Sequence, residues 1–355
     1  MTTLESRVRA SWRVQACAAG LCAGTQVFLF GTGIAMPIAL GGAWIASLAA
    51  LPAAALTAAV CRRALTLPQT HGRLTGALYF LLALTLLLNA AFTLCGLVSL
   101  AGQTLLVQAR ALWSAAVTLA AVALCALTGG APRLCFALRW MLPVLLALLT
   151  ALCVPMEVPE GLFPILGAGV TELGAAAVCM LGAASPLLML LLPPQALARG
   201  GEAAGRCPVP AAKFFVGRAL AGAAAGVLLL LLAAGANSTY EALLKSSGWG
   251  ERLRIVFGGQ MRGGVIQTLL TVCQMMAMAL LAVCMLASAE QALLRALPKA
   301  KKGRAGLAAL VLLLAGCMAA LIVFGMTPAL FAAPLLVLPT AALLILHKRL
   351  GGKDG

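Results

Sequence analysis

Very little of this sequence is suited to facing water. Of 355 residues only 10% are charged, nine are acidic, two are histidine and two are tyrosine. A soluble domain carries roughly 25% charged residues, because its surface must be solvated. So low a content excludes an ordinary soluble fold, and no stretch reads as a soluble domain or a linker. The scarcity of acids and histidines also removes the usual materials of catalysis. His71 and His347 fall at the edges of apolar runs, where a solvated interfacial role is the default. Glu157, Glu160 and Glu172 cluster before one apolar run, Glu241 and Glu251 lie in a polar loop, and Glu290 stands at the end of a run. Glu5, Glu202 and Asp354 lie in basic segments. No acid occupies the middle of a run, where the proton-coupling carboxylates of membrane proteins are found. Neither an enzyme activity nor a cofactor is expected.

Clustered cysteine is missing as well. None of the twelve (Cys17, Cys22, Cys61, Cys95, Cys125, Cys135, Cys153, Cys179, Cys207, Cys273, Cys284 and Cys317) has a CxxC partner, and most lie inside apolar runs. A metal or disulfide framework needs clustered, accessible ligands. These residues read instead as small apolar helix fillers. A cleaved signal peptide is not expected either, since the first apolar run is long and no small-residue cleavage site in a polar setting follows it.

What is present is hydrophobic: 63% of the chain, with a mean hydropathy of +1.06. Runs long enough to cross a hydrocarbon core of ~30 Å recur throughout. They place spans at about 12–38, 43–60, 74–99, 111–128, 136–154, 170–192, 213–235, 265–290, 305–326 and 328–347. The last two are divided by Met326-Thr327-Pro328. The expected organisation is a cytoplasmic N-terminus at 1–11, a transmembrane domain at 12–347 and a cytoplasmic tail at 348–355.

The net charge of +16 suggests nucleic acid only until its placement is considered. The basic residues sit between apolar runs, on alternate sides. Of the 25 Lys and Arg, all but Arg110, Lys245, Arg252, Arg254 and Arg262 fall in segments on one side. Lys and Arg resist translocation and stay cytoplasmic. The split therefore predicts an even number of spans with both termini in the cytoplasm of an inner, cytoplasmic membrane, and no nucleic-acid partner.

Two spans carry helix-weakening residues. The first contains Gly31-Thr32-Gly33-Ile34-Ala35-Met36-Pro37, with Gly20 and Gly24 earlier; the sixth contains Gly182-Ala183-Ala184-Ser185-Pro186. Gly adds backbone freedom and Pro removes a donor, so these segments either kink or unwind within the membrane. Unwound backbone at that depth is tolerated where it lines a cavity or is buried in protein. Spans one and six are equivalent positions in a 5+5 arrangement, the pattern of inverted-repeat transporters. The segment 236–264 is the one long outward loop, and its apolar and charged residues over 243–257 predict a short amphipathic helix over the outer mouth.

Four passages resemble the endospore germination permeases, the B-type subunits of nutrient germinant receptors, which are related to the amino acid–polyamine–organocation transporters. They are Gly31 to Pro37, Gly42-Ala43-Trp44-Ile45, Gly72-Arg73-Leu74-Thr75-Gly76-Ala77-Leu78-Tyr79, and Glu160-Gly161-Leu162-Phe163-Pro164-Ile165-Leu166-Gly167-Ala168-Gly169. The likeness extends along the chain in span count and loop lengths. Members often carry a carboxylate in helix six and a Lys in helix eight. This chain has Gly182 to Leu187 without an acid in the first place, and Gln274 in the second. The resemblance implies an all-α polytopic fold of about ten transmembrane helices in two inverted five-helix repeats (LeuT-like), with helices one and six broken. It also implies a central site for a small nutrient, typically an amino acid, in a spore membrane, with A-type and C-type receptor subunits as partners. A stand-alone amino-acid or amine transporter of the same fold is the alternative.

The polar residues within spans are Thr32, Asn89, Thr93, Ser185, Gln267, Thr271 and Gln274. A lone amide in hydrocarbon is costly, so each must face other helices or a watery cavity. The expected ligand-binding residues are Gly31, Thr32 and Gly33 on span one, Asn89 and Thr93 on span three, Gly182, Ala184 and Ser185 on span six, and Thr271 and Gln274 on span eight. A zwitterionic amino acid suits such a pocket. Its carboxylate would take backbone N–H groups at the helix-one break and its ammonium carbonyls near Ser185.

Overall fold

The computed structural model describes residues 3–65, 73–104, 144, 147, 169–192, 211–235 and 264–296, and every element among them is helical. The expected spans at 111–128, 136–154 (apart from 144 and 147), 305–326 and 328–347, the amphipathic segment 243–257 and the passage 160–168 lie outside the described residues. So does most of the expected outward loop. The elements are α1 (Thr3–Phe30), a π-helical turn (Gly31–Ala35), α2 (Met36–Ala39), a 3₁₀ turn (Leu40–Gly42), α3 (Ala43–Ser47), α4 (Ala50–Ala64) and α5 (Arg73–Thr104). Then come α6 (Val170–Leu181), a 3₁₀ segment (Gly182–Leu191), α7 (Ala212–Gly235) and α8 (Gly264–Ala296). Among the described residues five stretches are long and apolar enough to cross a membrane: Ser11–Ser47, Gly76–Val98, Val170–Leu191, Ala212–Leu232 and Val272–Ala296. The protein is an integral membrane protein.

The stretch Ser11–Ser47 has 37 residues, far more than the ~20 that one crossing needs. It divides at Leu40, whose φ of 49° lies outside the helical region, beside Gly41 and Gly42. For a branched side chain that conformation is strained. The two Gly residues that follow close the turn without further steric cost.

Side-chain bonds fix the direction of each helix. Gln15 of α1, Cys61 of α4 and Leu187, Met189 and Leu192 of the sixth span meet at one end of the molecule. α4 and the sixth span therefore run antiparallel to α1. α7 runs parallel to α1, since Gly20 lies against Arg218, Gly24 against Gly222 and Gly31 against Leu230. α8 runs antiparallel to α5, because a methyl group at Gly76 would lie 3.4 Å from the Ala296 carbonyl and Arg295 stacks on Tyr79. Spans one, three and seven thus point one way, and two, six and eight the other.

The packing of α1 on α7 rests on absent side chains. A Cβ at Gly20 would strike the Arg218 carbonyl, one at Gly24 or Gly222 the other helix's Gly carbonyl, and one at Gly226 the carbonyl of Gly24. Small residues four apart let membrane helices approach backbone to backbone, where dispersion contacts replace the missing hydrophobic drive.

At the Gln15 end the sixth span is held by a side chain. Gln15 Nε2 donates to the carbonyls of Met189 (3.0 Å) and Leu192 (2.6 Å). The Met189 carbonyl also accepts Leu192 N–H (3.1 Å), while the Leu192 carbonyl lies past the last turn of the helix. Leu192 leaves the helix with φ −93° and ψ 131°, the extended conformation that Pro193 imposes on the residue before it. Gln15→Leu removes both bonds and is expected to let this end part more often. Each bond is worth roughly 0.5–1.5 kcal/mol, so alkylation of the buried Cys61 thiol should quicken about tenfold. Peptide mass spectrometry after maleimide treatment measures it; an unchanged rate would show that packing alone holds the end shut.

Candidate functional site

The first span does not unwind at its glycines; it widens. Met36 N–H bonds to the Gly31 carbonyl, an i→i−5 step, so Gly31–Ala35 forms one π turn inside an otherwise α-helical span. The cause lies one residue on. Pro37 has no N–H for the Gly33 carbonyl, and its ring crowds that carbonyl in an α-helix. An extra residue in the turn relieves the crowding, and Gly31 and Gly33 bring no side chains into the widened ring. Isolated π turns within α-helices are frequent at functional sites.

The sixth span changes winding in the opposite sense. α6 ends at Leu181, where Gly182 N–H reaches the Cys179 carbonyl, and Gly182–Leu191 continues as a 3₁₀ helix of 10 residues with Pro186 inside. Such runs seldom exceed 3–4 residues, and a long one marks a hinge or strain. All ten of these residues are buried. The two segments expected to be broken thus remain helical, one wound too loosely and one too tightly. Both retain a hydrogen-bonded backbone, which answers the demand of a water-free environment that unwound chain would leave open.

Where α1 meets the 3₁₀ segment, Asn89 of α5 forms a polar hub. Its Nδ2 donates to the Thr85 carbonyl (2.9 Å), and its Oδ1 accepts from Ser185 Oγ (3.0 Å) and from Gln26 Nε2 (3.3 Å). Thr93 Oγ1 donates to the Asn89 carbonyl at 2.9 Å. Spans one, three and six are therefore tied together by three uncharged side chains, with Phe30 and Phe92 in edge-to-face contact (5.3 Å, 76°) one turn along. Among the described residues no charged side chain is buried.

The expected site residues divide into groups. Asn89 and Ser185 meet directly, and Thr93 joins through the Asn89 backbone. Thr32 is buried but turns its hydroxyl back onto the carbonyls of Phe28 (2.9 Å) and Leu29 (3.3 Å) of its own helix. Bonding of this kind bends a helix. Gly31 does not face open space: a Cβ there would meet the methyl groups of Leu230 on α7. Gly33, Gly182 and Ala184 are buried within the two rewound segments. Thr271 lies on α8, with its side chain outside the described set.

Gln274 stands apart. The contacts of Gly76 with Ala296 and of Tyr79 with Arg295 set the register of α5 against α8. Carried along both helices, that register places Gln274 near Val98 and Leu100, about ten residues and ~15 Å beyond Asn89 at 1.5 Å per residue. Gln274 is 1% exposed, and neither its Oε1 nor its Nε2 has a partner.

Gln26 was not among the residues expected at the site, yet it is wholly buried at the hub. The signal was available, since the cost of a lone amide in an apolar run singled out Asn89 and Gln274 by the same rule. Gln15 and Gln26 are eleven residues apart, three helical turns, and so share one face of α1. At Gln15 that face meets the sixth span, and at Gln26 it meets Asn89 of the third.

With this geometry in view, the chain can be compared with known proteins. No family model matches it, and no curated protein matches it. Among solved structures it is similar to Mhp1, a nucleobase-cation-symport-1 family transporter, in a closed conformation with bromovinylhydantoin bound. The TM-score is 0.62 at 14% sequence identity, over 93% of this chain and 77% of that one. At this identity the likeness is one of fold alone: the chain shares the fold of that membrane transporter.

Proposed function

We propose that the protein is a transporter of this fold that binds a small, uncharged or zwitterionic polar solute at the Asn89 hub and exchanges access between the two sides of the membrane. One observation carries the reading. Two spans that run in opposite directions, each with a local change of winding, meet at one polar cluster, the sixth within its 3₁₀ segment and the first five residues before its π turn. Paired discontinuous helices frame the substrate site in transporters of this kind. Ten spans in two inverted repeats fit the described packing. α1 lies parallel to α7, and the sixth span lies parallel to α4, the pair an inversion would generate. The Lys and Arg distribution makes the Gln15 end cytoplasmic, with both termini inside. Among the described residues the buried polar side chains are amides and hydroxyls, which bind and orient; no catalysis is proposed. The test is uptake by proteoliposomes holding the purified chain, screened with radiolabelled amino acids, amines and nucleobases. Accumulation above empty liposomes supports transport. No uptake, together with no binding in detergent, would dispose of it.

A second reading has its own support in the passages Gly31 to Pro37, Gly42 to Ile45, Gly72 to Tyr79 and Glu160 to Gly169, which resemble germination permeases. On it, the same site senses a nutrient in a spore membrane and signals through A-type and C-type subunits. Co-purification with such subunits, and germination rather than uptake as the response, distinguishes it from the first.

A further inference from the structure

We infer that Gln26 selects the solute by accepting, at its Oε1, a hydrogen bond from an N–H group of the ligand. This rests on the solute-site reading above and deepens it. The observation is a buried acceptor without a donor: Gln26 is 0% exposed, and its Oε1 has no hydrogen-bond partner.

The orientation of that oxygen is dictated by its neighbours. An amide side chain can be turned over, exchanging O for NH₂, so its direction has to follow from the network. Here the network starts from a backbone carbonyl, which only accepts. The carbonyl of Thr85 must receive Asn89 Nδ2, and Asn89 Oδ1 is thereby turned toward spans one and six. An oxygen facing Gln26 requires a donor in return, so Gln26 presents Nε2 and its Oε1 points elsewhere. The Ser185 hydroxyl cannot serve that oxygen, because its proton goes to Asn89 Oδ1. Three side chains are thus ordered in series, and the series ends in one acceptor that nothing in the cluster satisfies. Leaving a buried acceptor unpaired is costly, so its retention beside the Asn89 hub, where α1 meets the 3₁₀ segment, points to a guest that brings the missing donor. With no buried cation or carboxylate among the described residues, the selection is by hydrogen bonding and not by charge. The ligand class is a small solute with a free N–H, either a ring imide or an ammonium.

The experiment uses the full chain in lipid nanodiscs and matched probes in which methyl groups replace the N–H hydrogens. Uracil against 1,3-dimethyluracil tests the ring source, and L-alanine against its N,N,N-trimethyl betaine tests the ammonium source. The wild type is expected to favour the N–H member of one pair by roughly tenfold to a hundredfold, and which pair responds identifies the source. Gln26→Met and Gln26→Leu should bring that ratio to about one, through loss of affinity for the N–H member. Met nearly matches Gln in length, so discrimination by steric exclusion of a methyl group would survive the substitution, while discrimination through the acceptor would not. A preserved ratio in either variant overturns the inference, since a water would then be satisfying Oε1. Equal wild-type affinity within both pairs overturns it without any variant. Binding of no probe by the wild type counts against the solute site itself, and the inference falls with it.

Discussion

Gly222→Val is expected to leave almost no folded protein in the membrane. A Cβ at Gly222 would sit on the Gly20 carbonyl of α1, and the neighbouring contacts are equally close, with Gly24 against Gly222 and Gly226 against Gly24. Both sides of the contact are backbone, so no rotamer change makes room and the helices must separate along their length. Overpacking of this kind costs about 1–3 kcal/mol when side chains can adjust, and more when they cannot. Separation also pulls Gln26, on α1, from Asn89, a bond already 3.3 Å long. Gly222→Ala should lower the yield of monodisperse protein several-fold, and Gly222→Val should abolish it, as read by size-exclusion chromatography of a fluorescent fusion. Gly217 supplies the control. On the same helix nothing lies within 4 Å of its would-be Cβ, so Gly217→Ala should be neutral or stabilising by about 0.5–1 kcal/mol. Equal yields from Gly217→Ala and Gly222→Val would refute the close approach of α1 and α7.

Asn89→Leu should do the reverse, sparing the fold and removing the function. Interhelical hydrogen bonds in membrane proteins average only ~0.6 kcal/mol, and Asn89 makes two, to Gln26 and Ser185. A loss of about 1 kcal/mol is small beside the apolar packing around it, so the variant should accumulate close to wild-type level. Binding depends on the hub differently. Without Asn89 Oδ1, neither the Gln26 amide nor the Ser185 hydroxyl has a fixed direction. The preorganised acceptor is then lost, and with it roughly thirtyfold or more in solute affinity. Thr93→Val removes only a bond from Thr93 to the backbone of its own helix and should bind nearly as the wild type does. A well-folded Asn89→Leu protein that takes up solute normally would move the site elsewhere, with Gln274 the next position to test.

Hydrophobicity and charge alone determined that this chain lives in a membrane, where most described crossings begin and end, and their alternating direction. The reason is physical: a span must be long, apolar and flanked by unequal charge whatever it packs against. The same reasoning picked out the two weakened segments, because Gly and Pro act through their own backbone. What it left undecided was how each segment would yield. Pro37 and Pro186 permit a kink, an unwound stretch or a change of pitch. The need of buried backbone to keep its hydrogen bonds decided for a π turn at Gly31–Ala35 and a 3₁₀ helix at Gly182–Leu191. Which polar residues meet was also beyond local pattern. Asn89, Ser185 and Gln274 look alike in sequence, each a lone polar group in an apolar run. The tertiary register joins the first two through Gln26 and sets Gln274 about 15 Å away. Contact across helices depends on rotation and offset between elements far apart in the chain, and composition along one helix carries neither.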